Sequence, residues 1–313
     1  MKLKDPLFYA KILLFGEYSI IEDSMGLSIP FDYYQGKFQK VSIDNDFRER
    51  SNKHLRDYCD YLQTQQDEGL LRCKFDLGRF SKDINEGLVF DSNIPQGFGV
   101  GSSGALVAAI YNKYCKRPIS SGEKLKKNQI TELKLIFSQM ESFFHGKSSG
   151  IDPLICYLNI PLLIKSSSDI GTVGMPDSIE GEGAIFLLDS GTPGETQPLV
   201  NLFMEKLKHD GFRKMVKEEF VKYNDDCIQS FLKSDIKSLF RNLKNLSQFL
   251  FENFSPMIPA VFHTLWKEGL DSNAYYLKLC GSGGGGFILG FTQNLPHAKK
   301  VLSGYDLEVI HRF

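Results

Sequence analysis

Pro95-Gln-Gly-Phe-Gly-Val-Gly-Ser-Ser-Gly104 is the stretch on which the reading of this chain turns. Five of its last six residues are Gly or Ser, and an alanine-rich apolar segment, Ala105–Tyr114, follows at once as a predicted packed helix. Glycines let backbone amides come close to an anion. The start of a helix adds unsatisfied N–H groups and the positive end of its dipole, so the stretch reads as a phosphate cradle. The hydroxyls of Ser102 and Ser103 stand where they could meet phosphate or a metal. The alternative is a helix entry with no ligand, and the density of Gly and Ser weighs against it.

Gly99-x-Gly101-x-x-Gly104 also matches the dinucleotide fingerprint. That fingerprint needs a second strand ending in an acid about 20 residues on. Pro118–Glu123, where such a strand would begin, does not read as one. The stretch lacks the Gly-Lys-Ser/Thr of a Walker A loop as well. A second loop, Lys278-Leu-Cys-Gly-Ser-Gly-Gly-Gly-Gly286, lies between two predicted strands. Five glycines in six residues carry a large entropic cost for a simple turn. Close approach to another backbone or to a bound phosphate accounts for them better. Two such loops, far apart in sequence, suggest one nucleotide held by two domains.

Length and composition set the frame. With 313 residues the chain suits about two domains of roughly 100–200 residues. It is 42% hydrophobic and 24% charged, as a folded globular chain is. Lys+Arg 37 against Asp+Glu 38 gives a net charge of -1, which argues against a nucleic-acid partner. The six cysteines (Cys59, Cys73, Cys115, Cys156, Cys227 and Cys280) are scattered and form no C-x-x-C pair, which reads as reduced thiols in a cytosolic protein. Met1–Phe15 is interrupted by Lys11 and lacks a leader cleavage pattern, and no apolar run is long enough to span a membrane. The expectation is a cytoplasmic protein with no membrane association.

Patterning predicts strands at Ile12–Phe15, at Leu27–Tyr34 and Phe38–Ile43 joined through Gln35-Gly36, and at Gly87–Phe90, Pro161–Lys165 and Ala184–Leu188. Helices are expected over about 47–65, 105–114 and 128–144. From residue 196 to about 270 the pattern is nearly all helical, and strands at Tyr275–Leu279, Phe287–Phe291 and Leu307–Ile310 follow. This implies an α+β fold with a loose boundary between Ser166 and Glu182, giving domains of residues 1–175 and 176–313.

Between the loops runs Glu141-Ser-Phe-Phe-His145-Gly-Lys-Ser-Ser-Gly-Ile-Asp152. Phosphoryl transfer to an alcohol calls for a metal on phosphate oxygens, a cation against developing charge and a carboxylate near the hydroxyl. Glu141, Asp152 and Lys11 supply those residue types, although each alone has an ordinary structural reading. His145 has one too, as a hydrogen-bonding partner of its own loop. The remaining histidines show no metal-ligand spacing.

Taken in order, these segments resemble the GHMP small-molecule kinases. Lys11-Ile-Leu-Leu-Phe-Gly16-Glu17-Tyr18 is similar to the first motif of that family, Pro95 through Ser103 to the second, and Lys278 through Gly286 to the third. His145-Gly-x-x-Ser-Gly-Ile-Asp152 and Pro193-Gly-Glu-Thr196-Gln-Pro-Leu-Val200 look most like mevalonate kinase within it. The resemblance implies a two-domain α+β fold, an N-terminal part like ribosomal protein S5 domain 2 and a ferredoxin-like C-terminal part, with an ATP cleft between them. It implies ATP phosphates on Gly97, Gly99, Gly101, Ser102, Ser103, Gly104, Gly281 and Gly283, with Mg2+ on Ser103 and Glu141. Asp152 and Lys11 would be catalytic, and Glu17, Tyr18, His145 and Thr196 would face a small-molecule alcohol, mevalonate first. Phosphomevalonate or a sugar as acceptor, a catalytically silent ligand binder and a homodimer stay open. Tyr9-Ala10, Tyr18, Gly194 and Cys280 depart from the family pattern, and Tyr18 and Gly194 fall where the acceptor would be read.

Overall fold

Phe8–Phe15 (β1) buries Phe8, Ala10, Ile12 and Leu14 on one face, and on the other it buries Lys11, only 4% exposed. In this computed structural model, residues 6–41, 46–122, 125–166, 169–176 and 181–313 are described. Strand β2 (Gly26–Lys40) is one strand of 15 residues, where patterning predicts two joined at Gln35-Gly36. Gly36 is paired with Ser92, and the Phe90 ring lies where a Cβ on Gly36 would stand. The glycine thus makes room for a cross-strand ring and does not form a turn. Ile43, the predicted end of the second strand, lies outside the described residues.

Helices α1 (Asp46–Asp67) and α2 (Leu77–Asn85) precede β3 (Leu88–Ser92). After the glycine-rich stretch come α3 (Ser102–Tyr114), α4 (Lys127–His145) and α5 (Ile151–Leu158). Strands β4 (Leu162–Ser166), β5 (Asp169–Thr172) and β6 (Ala184–Asp189) follow. Next are α6 (Thr196–Lys206) and α7 (Asp210–Met215), which runs through a π turn at Val216–Phe220 into α8 (Val221–Leu232). Helices α9 (Ile236–Asn253) and α10 (His263–Ser272), the hairpin β7 (Tyr276–Leu279) and β8 (Phe287–Thr292), α11 (Leu295–Val301) and β9 (Leu307–Arg312) complete the chain.

The chain forms two compact units that interleave in sequence, whereas the expected division at 175/176 is a single cut. The first unit is Met1–Lys11, Pro30–Pro95 and Gly101–Ile160; the second is Ile12–Ile29, Gln96–Val100 and Pro161–Phe313. In the first, the later half of β2 pairs antiparallel with β3, and α3 packs against α4 and α5. In the second, the early half of β2 pairs antiparallel with β4 and β4 with β5, while β7-β8-β6-β9 form a four-stranded antiparallel sheet. Both units mix helices with antiparallel strands, an α+β architecture. Among the described residues no helix is long and apolar enough to cross a membrane.

Strands β6 and β8 at the centre of the second sheet are apolar and buried almost throughout. Helix α9, packed against β7 at the edge of that sheet and against α8, buries Leu239, Leu243, Leu246 and Leu250 at helical spacing and is capped by Asp235, whose carboxylate accepts from Ser238 N–H at 3.0 Å. Gly290 on β8 pairs with Phe186 on β6, and that ring fills the space of a Cβ. Gly290→Val is therefore expected to lower stability by about 1–3 kcal/mol through overpacking, read as a shift in urea midpoint with unchanged slope. An unchanged midpoint would show that the ring can move aside.

Candidate active site

Lys11 owes its burial to a strand that has no other place for it. Its ammonium meets Asp152 Oδ2 at 2.9 Å, and while Lys11 is enclosed, the Asp152 side chain is 41% exposed. Three close approaches hold this pair in the first unit. Gly101 caps α3 with φ +83, and a Cβ there would stand 2.8 Å from Lys11 Cγ. A Cβ on Gly104 would stand 2.9 Å from the Asp152 carbonyl carbon, so the first turn of α3 lies directly on the first turn of α5. Cys156 Sγ, one turn along α5, donates to Gly101 O at 3.8 Å. An anionic side chain in the first turn of a helix is favoured by the helix dipole, which suits Asp152.

The loop between α4 and α5 returns Asp152 to the helix that carries Glu141. Ser138 Oγ donates to Ser148 O at 2.6 Å, Gly150 N–H donates to Ser148 Oγ at 3.0 Å, and Ser148 Oγ donates to Glu141 Oε2. Ser103 Oγ, in the first turn of α3, lies 3.4 Å from Glu141 Oε1. Ser148 is a site residue with no individual role in the sequence reading, since a serine in a Gly/Ser turn carries no distinguishing signal.

Glu141 is 3% exposed. Burial, and then the nearby Asp152 carboxylate, push its carboxyl up to about 8, against the pull of Ser148, Lys11 and Ser103. Two carboxylates that repel one another beside a hydroxyl, all hard oxygen donors, fit a small divalent cation. Among the described residues no group of three or more His, Cys, Asp and Glu could hold a metal by itself. A cation here would need other oxygens to complete its shell, which is how Mg2+ is commonly held with substrate phosphates.

Of the remaining sequence candidates, Ser102 opens α3 in the first unit, and Gly97, Gly99, Gly281, Gly283, Glu17, Tyr18 and Thr196 lie in the second. Gly97 O accepts from Gly194 N–H at 2.8 Å. Gly99 (φ +77) sits so close to the second glycine-rich loop that a Cβ would stand 2.6 Å from Cys280 O. Gly281 lies against Gly99, and Gly283 against Met257. Backbone packing on backbone thus accounts for glycines in both loops. Glu17 forms a buried ion pair with Lys278 at 2.5 Å, and Lys278 Nζ also donates to Leu279 O at 2.9 Å. Tyr18 donates to Ser282 O at 2.6 Å with its ring 4.9 Å from Phe203 and 5.5 Å from Phe254. Ser282 Oγ donates to Thr196 Oγ1 at 3.1 Å. His145 ends α4, and its side chain lies outside what is described.

The family model for the GHMP kinases N terminal domain matches residues 69–159, and that for the GHMP kinases C terminal matches residues 227–308. A search of curated proteins finds no match. Among solved structures, the mevalonate kinase of L. major in complex with R-mevalonate superposes with a TM-score of 0.64 at 13% identity, covering 97% of this chain and 91% of that one. The phosphomevalonate kinase of Streptococcus pneumoniae, in complex with phosphomevalonate and AMPPNP, gives 0.62 at 13% identity over 98% and 100%. The galactokinase of Lactococcus lactis complexed with galactose gives 0.63 at 12% identity over 98% and 92%.

Two measurements follow from this geometry. A carboxyl that binds its proton more tightly in the folded state supports folding below its unfolded value and loses that support as pH rises to its folded value. For Glu141 that window runs from the ordinary carboxyl range, about 4.3, up to about 8. Without nucleotide or metal, the wild type should melt lower at pH 8.5 or so than at about pH 5.5, and Glu141→Gln should flatten that difference; equal pH dependence in both would refute the buried-acid assignment. Removing Glu17 strands the Lys278 ammonium, so Glu17→Ala should cost about 3–5 kcal/mol in chemical denaturation. An unchanged stability would free Glu17 for a role at substrate.

Proposed function

The chain belongs to the GHMP kinase family, and we propose that it transfers the terminal phosphoryl group of ATP to the hydroxyl of a small-molecule acceptor, mevalonate foremost. The observation that carries this reading is the Lys11–Asp152 pair at 2.9 Å, built into the same cluster as Ser103 and Glu141 at the start of α3. A cation and a carboxylate in contact, the carboxylate still open to solvent, are what an acceptor hydroxyl needs beside it. A protein that merely binds a ligand has no use for such a pair.

In the proposed reaction the amides of residues 97–104 bind the phosphates of ATP, with the start of α3 adding its dipole. Ser103 and Glu141 would hold Mg2+, which when bound would neutralise charge on the phosphate oxygens. Asp152 accepts a hydrogen bond from the acceptor hydroxyl and orients it in line with the phosphorus. It takes the proton as the new P–O bond forms and the bond from the γ-phosphorus to the bridging oxygen breaks, releasing ADP. Lys11 lies against Asp152 and lowers the pKa of the hydroxyl while offsetting the charge of the transferring group. Positioning is the larger part of this task, since a loose transition state asks little covalent chemistry of the protein.

Mevalonate is favoured by His145-Gly-x-x-Ser-Gly-Ile-Asp152 and by the Pro193–Val200 segment that carries Thr196. The structural neighbours support it only as one of several acceptors, because those with mevalonate, phosphomevalonate and galactose superpose about equally well. Thr196 is kept as a proposed acceptor contact on its motif. Glu17 and Tyr18 have the structural partners Lys278 and Ser282, which lowers their standing as acceptor contacts.

A coupled ADP-release assay with Mg·ATP and a panel of mevalonate, phosphomevalonate and hexoses tests both levels of the proposal. Turnover on mevalonate above the others is the expected result, and nucleotide binding without turnover on any alcohol would overturn it. Lys11→Met should retain nucleotide binding and lower kcat on the order of a hundredfold to a thousandfold.

A further inference from the structure

A cavity of about 220 Å3 opens in the first unit where β1, β2, α2 and α3 meet. Phe8 from β1, Phe38 from β2 and Ala109 from α3 form its apolar wall, and Arg79 from α2 with Asn112 and Lys113 from α3 supply its polar groups. Ser103 and Lys113 are ten residues apart on α3, about 15 Å at 1.5 Å per residue. The cavity is therefore distinct from the cluster around Ser103 and Glu141.

The charge around it is one-sided, since no acid lines it. Lys113 Nζ lies 5.3 Å from the centroid of the Phe38 ring and 5.8 Å from that of Tyr114, and among the described residues no carboxylate pairs with it. Arg79 Cζ lies 5.9 Å from the Tyr114 centroid. The Arg79 Nε meets Asp83 only at 4.0 Å, and that carboxylate already accepts from the Tyr114 O–H at 2.9 Å and lies 3.4 Å from Lys40. Asp83 is thereby committed, and the Lys113 charge is left uncompensated. Two other surface cavities lack this combination. One of about 240 Å3 sets Lys37 against Asp91, and one of about 210 Å3 at the turn between α8 and α9 sets Lys233 and Arg241 against Asp226 and Asp235.

An apolar wall with a few convergent polar groups is the make-up of a small-molecule site. At about 220 Å3 this one is smaller than the roughly 300–1,000 Å3 that drug-sized ligands occupy, so the tail that fits is one ring or one short alkyl chain. Contact with the ring faces holds both cations in place before a ligand arrives, which lowers the ordering cost of binding. A guanidinium and an ammonium, with a side-chain amide that can donate beside them, select an oxyanion and reject a cation.

We propose that this cavity binds a small amphiphilic anion. Its short apolar tail lies against Phe8, Phe38 and Ala109, and its carboxylate or phosphate head lies on Lys113, Arg79 and Asn112. The site stands apart from the proposed phosphoryl transfer and does not depend on it.

Isothermal titration calorimetry of the full chain tests this, with octanoate, octyl phosphate, octylammonium and octanol as probes. The expected result is one octanoate or octyl phosphate bound per chain, at least about tenfold more tightly than octylammonium or octanol. The anion that binds more tightly identifies the head group. In the double variant Arg79→Gln, Lys113→Gln the anion affinity should fall by about tenfold or more, whereas Lys113→Arg should retain it. Thermal melts followed by circular dichroism show whether each variant is folded, and the comparison of anion with cation on the wild type needs no variant. The absence of saturable anion binding, equal affinity for octylammonium, or unchanged anion affinity in the folded double variant overturns the proposal.

Discussion

A buried ammonium in a β-strand sets the terms for the candidate site of this protein. Lys11 lies in a strand whose neighbouring residues are apolar, and an unpaired charge there would cost several kcal/mol. Asp152 answers it, and the demand for that partner dictates much of the local backbone. The first turn of α5 must come to β1, α3 must begin close against both, and the residues at the closest approaches must have no side chain. Gly101 and Gly104 are therefore as much a consequence of Lys11 and Asp152 as of any phosphate. Because Lys11 is enclosed and Asp152 is open on one side, the same pair stabilises the fold and offers a carboxylate to solvent.

The contrast with Glu17 and Lys278 shows how burial separates structure from chemistry. Both pairs join a lysine to an acid from a glycine-bearing motif. In the Glu17–Lys278 pair both side chains are nearly fully enclosed, so its charges are spent on each other. In the Lys11–Asp152 pair one partner remains reachable. Glu141 is a third arrangement, an acid held beside another acid by serine hydroxyls and left with a proton that a cation could replace.

Much of this was legible in the sequence, for identifiable reasons. Long elements with steady periodicity, such as α1, α4, α9 and the apolar strands β6 and β8, stood out because one physical pattern dominates each. The gaps were short or unpatterned elements. Helix α5 is 8 residues long and buried on nearly every side, so it shows no polar face, and β5 has only 4 residues. Gln35-Gly36 looked like a turn because glycine usually serves turns, and only the Phe90 ring across the sheet explains it. The site was legible as an ordered set of residue types, Lys11, Ser103, Glu141 and Asp152. The meaning of Glu17 and of the Gly281–Gly286 glycines was not, because it depends on what packs against them.

The kinetic consequence of changing Asp152 to asparagine tests the central claim most directly, because that change keeps the shape of the side chain and removes its charge. With the fold intact and nucleotide affinity near that of the wild type, kcat is expected to fall on the order of a hundredfold to ten-thousandfold, the range for losing a positioned acid or base. Full activity in Asp152→Asn would contradict the account, and would leave the Lys11–Asp152 pair as a structural ion pair alone.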